Sequence, residues 1–400
     1  MPVRRDVSRA RRNLRMLMLV PYPTIQGPLP KIVPLLVDQF RTLGCDVETE
    51  CWSRHSEQET LRDKAVGRAA DLWRIFARLR RGRFDVLFIT TAHNRGGVMR
   101  DVPLVLLTKL VCRHLVIQFH GSCSERLSAP GGSLFKFASR VLVGACDATL
   151  VLSRQEQAEW TAFYPAGRFE LVALPFAPER AHDAVAPPLG NASAASASSR
   201  PRYRSASPTL LFVGRIMPEK GILDLIQALA RVNATTACRL LVAGDGPSTS
   251  AVVRLAGALG VASSVELLGY LSGPDLAHCY QQADALVLPS YSEGFPTVIL
   301  EAMSAGLPIV TTALRGAVDR LEEDVNALFV PPGRPDLLAG ALAHVLTDDR
   351  LRASMSAENI AKVLEFAPER VAPQYVDILR SVVFGDCGGA SPRVAQRGAS

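Results

Sequence analysis

The chain has 400 residues, more than one ordinary core absorbs, so two domains of about 200 residues each are expected. At 48% hydrophobic and 21% charged residues it reads as globular, and its eight cysteines, scattered with no C-x-x-C pair, exclude a disulfide framework and a zinc site in favour of reduced thiols in a cytoplasmic chain. The net charge of +7 is uneven, with 30 Lys+Arg against 18 Asp+Glu in residues 1–205 and 15 against 20 in the remainder, which places an anionic surface or acceptor near the first half.

Nucleic acid and anionic lipid headgroups both match such a charge. Because 39 of the 45 cations are Arg, codon bias accounts for the excess equally well. No run reaches the roughly 18 apolar residues of a membrane span. The best stretch, 102–119, is interrupted by Lys109, Arg113 and His114. The basic start (Arg4, Arg5, Arg9, Arg11, Arg12) before the apolar run 14–20 superficially resembles a signal peptide. That run is short, contains Arg15 and ends at Pro21, so a first buried strand behind a basic tail is the better reading.

From there, short apolar runs at 14–20, 47–52, 84–90, 115–119, 149–152 and 169–173 predict strands. Helical patterns lie between them at 31–43, 61–81, 134–145 and 154–163. Near-continuous apolar strands separated by helices mark a parallel sheet covered on both faces. Residues 176–208, rich in Ala, Ser and Pro and without periodicity, read as a flexible linker. Alternation resumes with strands at 210–213, 239–243, 265–268, 285–288 and 309–311, and helices at 336–346, 350–365 and 368–383 close the chain. The expected organisation is a domain over 1–175, the linker 176–208, a second domain over 209–366, a helix at 367–384 packing back on the first domain, and a disordered tail 385–400. Two doubly wound α/β domains, each with a Rossmann-like parallel sheet, would face each other across a cleft, with ligands at the carboxyl ends of the strands.

Two stretches of the second half carry chemistry. The first, Gly214-Arg215-Ile216-Met217-Pro218-Glu219-Lys220-Gly221, follows a strand and opens a helix. Arg215 and Lys220 have the wrong sign for a helix N-terminus, a conflict that a bound diphosphate would resolve. Surface charge in solvent is the bland alternative. In the second stretch, residues 289–308, Glu293 lies in a loop after a strand, and Gly294 and Pro296 turn the chain into a helix bearing Glu301. Carboxylates accept from vicinal hydroxyls, and the N–H groups of Gly294, Phe295 and Thr297 could meet sugar hydroxyls or phosphate oxygens. A capping Glu293 and a buried, paired Glu301 are the structural alternative. A dinucleotide fingerprint is a poor fit: Gly244-Asp245-Gly246-Pro247 lacks the third glycine. A P-loop is absent.

Together, G-R-x-x-x-x-K-G (214–221), G-D-G-P (244–247), L-G-Y-L (268–271) and P-S-x-x-E-G-F-P-T-V-I-L-E-A-M-x-A-G-x-P-I-V (289–310) resemble family 4 of the retaining GT-B glycosyltransferases, in order and spacing. That resemblance implies a GT-B fold and transfer from a nucleotide-sugar. Arg215 and Lys220 would hold the donor diphosphate beside the backbone of Gly214, Glu293 would contact the transferred sugar, and Glu301 the ribose. Gly294, Phe295, Pro296 and Thr297 would wall the sugar and phosphate, and Tyr270 and Leu271 would lie near the base. In the first half, Gly27 after the first strand is expected in the donor site, and His120, ending a strand in His120-Gly121-Ser122, in the catalytic site. His93 and Arg100 are the acceptor candidates. The chain departs from the family at Leu314-Arg315-Gly316, where Gly-Gly is common, and at Asn326-Ala327 in place of N-G.

Neither a metal nor a cofactor is expected, since no D-x-D triplet occurs, and nucleic acid drops out as a partner. The acceptor would be a saccharide or lipid-linked saccharide in bacterial cell-surface polysaccharide synthesis, with the enzyme cytoplasmic and peripheral at the inner membrane face. The rivals are a catalytically inactive sugar-nucleotide-binding subunit and a GT-B epimerase or phosphorylase.

Overall fold

In a computed structural model, residues 13–22, 25, 27–53, 61–177 and 207–385 are described. The basic start, nearly all of the expected linker and the tail lie outside them. The described residues of Met1–Pro175 and Pro368–Ser400 form one compact unit, and those of Phe176–Ala367 a second.

In the first unit the strands are β1 (Arg15–Val20), β2 (Asp46–Cys51), β3 (Val86–His93), β4 (His114–Ser122), β5 (Ala148–Val151) and β6 (Phe169–Leu171). They pair in the order β2-β1-β3-β4-β5-β6, all parallel. The helices are α1 (Leu29–Thr42), α2 (Leu61–Gly82), α3 (Arg95–Thr108), the short α4 (Glu125–Ser128), α5 (Ser133–Ala145) and α6 (Arg154–Phe163). Both sheet faces are covered, so the central strands need apolar side chains on either side; β1, RMLMLV, buries its four middle residues.

One face packs on α1 and on α14 (Pro368–Phe384), the last described helix. Tyr375 of α14 is fully buried among Phe40 and Phe88 at ring distances of 6.1 and 6.4 Å. Its hydroxyl donates to the Ala173 carbonyl (2.9 Å) and accepts from Gln118 Nε2 (2.8 Å), so both halves of an amphipathic side chain are satisfied. Burying one such side chain is worth roughly 2 kcal/mol, and Val371, Val376 and Leu379 are buried with it. The opposite face packs on α2, α3, α5 and α6 through Ile75, Leu79, Leu104, Leu142 and Trp160.

The second unit repeats the plan. Its strands are β7 (Thr209–Val213), β8 (Arg239–Ala243), β9 (Val265–Gly269), β10 (Ala285–Leu288), β11 (Ile309–Thr312) and β12 (Ala327–Val330), parallel in the order β12-β11-β10-β7-β8-β9. Chain order reverses between β7 and β10, the place where a doubly wound sheet opens a crevice at its carboxyl edge. The helices are α7 (Ile222–Asn233), α8 (Thr249–Ala258), α9 (Gly273–Gln282), α10 (Thr297–Ser304), α11 (Arg315–Arg320), α12 (Pro335–Thr347) and α13 (Asp349–Val363). Helix α7 buries Ile222, Leu225, Ile226, Leu229 and Val232, the i, i+3, i+4 stripe of a helix lying on a sheet.

Three elements were not expected from the pattern, the four-residue helix α4 among them. Strand β12, ALFV, is as apolar as the other four-residue strands and could have been noticed. Helix α3 is apolar on its outer face as well as its inner one, which erases the 3.6-residue period that betrays a helix.

Candidate active site

The richest chemistry of the second unit sits at its topological switch. After β7 the chain does not enter a helix directly. It passes a 3₁₀ turn, Pro218–Lys220, and α7 begins only at Ile222. Lys220 therefore precedes the helix instead of occupying its first turn, and Arg215 lies further upstream. Gly221 makes the junction at φ +66°, and a Cβ there would lie 1.9 Å from the Pro289 carbonyl oxygen. Only glycine fits both demands. The same approach is sealed by the Tyr291 N–H donating to the Glu219 carbonyl at 2.8 Å.

This seam sets Lys220, from the loop after β7, against Glu293, from the loop after β10, as an ion pair on Glu293 Oε1. Both side chains are about four-fifths buried, at 21% and 17% exposure. The Ser290 hydroxyl donates to the same Oε1 at 3.1 Å, and Ser290 is held by Thr312, whose hydroxyl donates to its carbonyl (2.6 Å). Arg215 is exposed and, among the described residues, has no hydrogen-bonding or ionic partner. A paired lysine and an uncommitted guanidinium on one loop suit an anion better than a saturated salt-bridge network would.

Neighbouring loops complete the rim. At Gly244 a Cβ would lie 1.9 Å from the Gly214 carbonyl oxygen, so the G-D-G-P turn after β8 can press against the loop after β7. Two hydrogen bonds lock it there, Ile216 N–H to the Asp245 carbonyl (2.9 Å) and Ser248 N–H to the Ile216 carbonyl (3.0 Å). The Gly244 N–H donates to the Gly269 carbonyl at 2.7 Å, which brings Tyr270 (exposed) and Leu271 (half-buried) to the same edge. On the other side the Gly316 N–H donates to the Gly294 carbonyl at 3.0 Å.

Helix α10 starts at Thr297 behind Pro296 with no side-chain cap, leaving first-turn N–H groups at the rim. Gly294 and Pro296 line the turn, while the Phe295 ring points into the core and stacks on Phe366 at 5.7 Å. Phe295 thus offers a ligand only its backbone, and its side chain anchors the loop. Glu301, half-buried one turn into α10, accepts from Tyr280 Oη at 2.7 Å. Burial and the Glu301 charge push the Tyr280 phenol well above its ordinary value, so it remains a donor that orients the carboxylate.

The departures from the family pattern fall in two different places. Arg315, standing where glycine is common, has φ +30° and is buried. Asn326 is buried and structural: its Nδ2 donates to Asn359 Oδ1 (3.2 Å), and Asn359 Nδ2 donates to its carbonyl (3.0 Å).

The first unit treats its candidates unequally. Gly27, at φ +130°, is exposed just ahead of α1 with open space around its Cα. His120, late in β4, has both ring nitrogens shielded from solvent and, among the described residues, without a hydrogen-bond partner. Burial lowers its imidazole to about 3, so the ring is neutral. A buried, unsatisfied imidazole is costly unless something else engages it.

His93 and Arg100 are corrected. His93 is fully buried between Phe119, Phe135 and Trp160, with ring distances of 5.2, 5.0 and 4.6 Å. Its Nδ1 lies 3.2 Å from Ser122 Oγ and its Nε2 2.9 Å from Ser139 Oγ, so no face is left for an acceptor. Arg100 is committed to Asp101 through Nε (2.7 Å) and Nη2 (3.0 Å), to Thr91 Oγ1 (2.5 Å), and lies over the Trp52 ring at 5.7 Å.

Ser290, Tyr280 and Asp101 received no role from the sequence. Ser290 stood inside a recognised motif and could have been noticed. Tyr280 reaches Glu301 from another helix, which no local pattern reveals. Among the described residues no group of three or more His, Cys, Asp or Glu could hold a metal ion, and the seven described cysteines are unbridged.

Residues 198–362 match a family model described as Glycosyl transferases group 1. The chain is 37% identical over 139 residues to an uncharacterized glycosyltransferase of Methanocaldococcus jannaschii, covering 35% of this chain and 36% of that protein's length. It is 31% identical over 283 residues to the alpha-D-kanosaminyltransferase of Streptomyces kanamyceticus, covering 68% of this chain and 70% of that one. In fold it is similar to the Anabaena protein HepE solved in complex with UDP and glucose, with a TM-score of 0.67 at 17% identity, covering 92% of this chain and all of that one.

Proposed function

The chain belongs to the group 1 glycosyltransferases, in the GT-B architecture of two parallel α/β units, and on that premise we propose that it moves a sugar from a nucleotide-sugar to a saccharide or lipid-linked saccharide with retention of configuration. The observation that carries this reading is the Lys220–Glu293 pair beside exposed Arg215 at the switch between β7 and β10. Lys220 and Arg215 hold the donor diphosphate, Glu293 meets the transferred sugar, and Glu301, oriented by Tyr280, takes the ribose hydroxyls. His120, neutral and unsatisfied within its own unit, meets the sugar or the acceptor. Gly27 borders the donor, and Tyr270 and Leu271 lie by the base. A UDP donor is favoured by the ligand of the similar Anabaena structure.

The bond from the anomeric carbon to the donor phosphate breaks as the acceptor oxygen attacks from the same face, and a donor phosphate oxygen takes the acceptor proton. Negative charge grows on the departing diphosphate through an oxocarbenium-like state. Cations already in place stabilise it without reorganising, which is where most of the rate gain arises. The proposal includes metal independence, a place in bacterial cell-surface polysaccharide synthesis, and an acceptor presented at the cytoplasmic membrane face.

A panel of UDP-, GDP- and ADP-sugars read by thermal shift identifies the donor. One family of nucleotides should raise the melting temperature, and transfer with it should survive EDTA. No shift with any of them overturns the donor assignment; activity lost to EDTA and restored by Mg²⁺ or Mn²⁺ overturns the metal-free clamp.

A further inference from the structure

Helix α3 packs between α2 and α5 on one face of the first sheet. A surface helix ordinarily keeps polar residues on its outer side. Here Trp73 of α2, Met99 and Leu106 of α3, Leu110 just past its end, and Leu134 and Phe137 of α5 are all between 52% and 78% exposed. These six large apolar side chains lie on the outward sides of three adjacent helices. Scattered singly they would be unremarked; grouped on one face they mark a docking surface.

Charge decides the occupant. Arg80 and Arg81 of α2, Arg95 of α3 and Arg140 of α5 are exposed. Among residues of these helices whose side chains are described, the only acids are Asp71 and Asp101, buried at 1% and 0%. Among the residues whose side chains are described, the outward sides of these helices therefore present cations and apolar groups with no exposed carboxylate. A second copy of the same face would be repelled by like charge. The segment 178–206 contains one Leu and no Phe, Ile or Met, so it is poorly suited to cover such a face.

We infer that the outward face of α2, α3 and α5 docks on an anionic phospholipid bilayer, with the apolar side chains entering the headgroup boundary and the arginines meeting lipid phosphates. The inference deepens the membrane-side acceptor of the proposed function, but its test does not use transfer.

Trp73 makes the test direct. The chain has three tryptophans, and Trp52 and Trp160 are buried at 2% and 0%, so emission at long wavelength belongs to Trp73. Full-length protein alone should show that solvent-exposed component, and sedimentation should show that its monomers do not pair through this face. Vesicles of phosphatidylcholine with phosphatidylglycerol should shift it to the blue and carry the protein down, about tenfold more strongly than phosphatidylcholine alone, with the preference shrinking at high salt. Leu106→Ser/Leu110→Ser/Phe137→Ser, at exposed positions that leave the core untouched, should abolish both signals while keeping the melting temperature and the nucleotide-sugar thermal shift.

Trp73 already buried without lipid, a dimer that buries it, equal binding to both vesicle types, or undiminished binding by the triple variant each overturns the inference. Loss of nucleotide-sugar binding with vesicle binding intact would strike the transfer reading and leave this one standing.

Discussion

The two units share one plan, yet they spend their polar residues in opposite ways. At the switch of the second sheet, loops from β7 and β10 bring Lys220 and Glu293 together at the rim, with Arg215 uncommitted beside them. At the corresponding edge of the first sheet, Trp52, Thr91, Arg100 and Asp101 close into a buried network. Asp101 Oδ1 accepts from Trp52 Nε1 at 2.7 Å and Oδ2 from Thr91 at 2.5 Å, in addition to Arg100. The difference teaches that a polar residue at a strand end is a candidate for chemistry only when the fold has not already saturated it. His120 alone among the first unit's histidine and arginine candidates passes that test.

The sharpest way to break this contrast is at Lys220. If it stabilises charge that grows only during reaction, Lys220→Ala should cut turnover about 10²–10³-fold, or about 3–4 kcal/mol, with a smaller loss of donor affinity. Glu301→Ala should instead raise the Michaelis constant for donor more than it lowers turnover, since the ribose does not change in the reaction. Steady-state kinetics on variants verified as folded by circular dichroism separate the two. Turnover intact in folded Lys220→Ala would end the phosphate assignment.

Asp101→Ala tests the other side of the comparison. It strips the counter-charge from Arg100 and the acceptor from Trp52, and should lower the first unit's stability by about 3 kcal/mol. Thermal unfolding followed by tryptophan fluorescence reads it. The second unit should still bind the nucleotide-sugar below the melting point, and donor binding lost in proportion to the variant's stability would blur the division of labour.

The smallest expected effect is a pH dependence that locates His93. Burial holds its folded imidazole at about 3, far below the unfolded value near 6.5, so the unfolded chain binds the extra proton. Its contribution is full above about pH 6.5 and is lost as pH falls from there towards 3, amounting to about 2 kcal/mol at pH 5. Urea unfolding at pH 7.5 and pH 5, with Trp160 packed 4.6 Å from the ring, monitors it. His120 carries the same shift and its own share of this acid limb, so His93→Phe should remove about half of the slope; an unchanged slope would place the titrating group elsewhere.

Much of the molecule was legible in order. Short apolar runs marked eleven of the twelve strands; the central ones are near-continuous because a doubly covered strand has no polar face to alternate, whereas the edge strand β2, DVETEC, alternates. The site motifs were legible because glycines such as Gly221 and Gly244 are demanded by loop contacts that any other residue would obstruct.

What the sequence could not determine was which polar side chains those loops leave available. His93 and His120 each lie at or near the end of a strand and look alike in print. One is enclosed by Phe119, Phe135 and Trp160, which lie 26 to 67 positions further along; the other is left with two unpaired nitrogens. The outer face of α3 is the same lesson in apolar form. Residue pattern records hydrophobicity, which is local, whereas burial and saturation of hydrogen bonds depend on what distant segments bring alongside. Only the tertiary structure decides that.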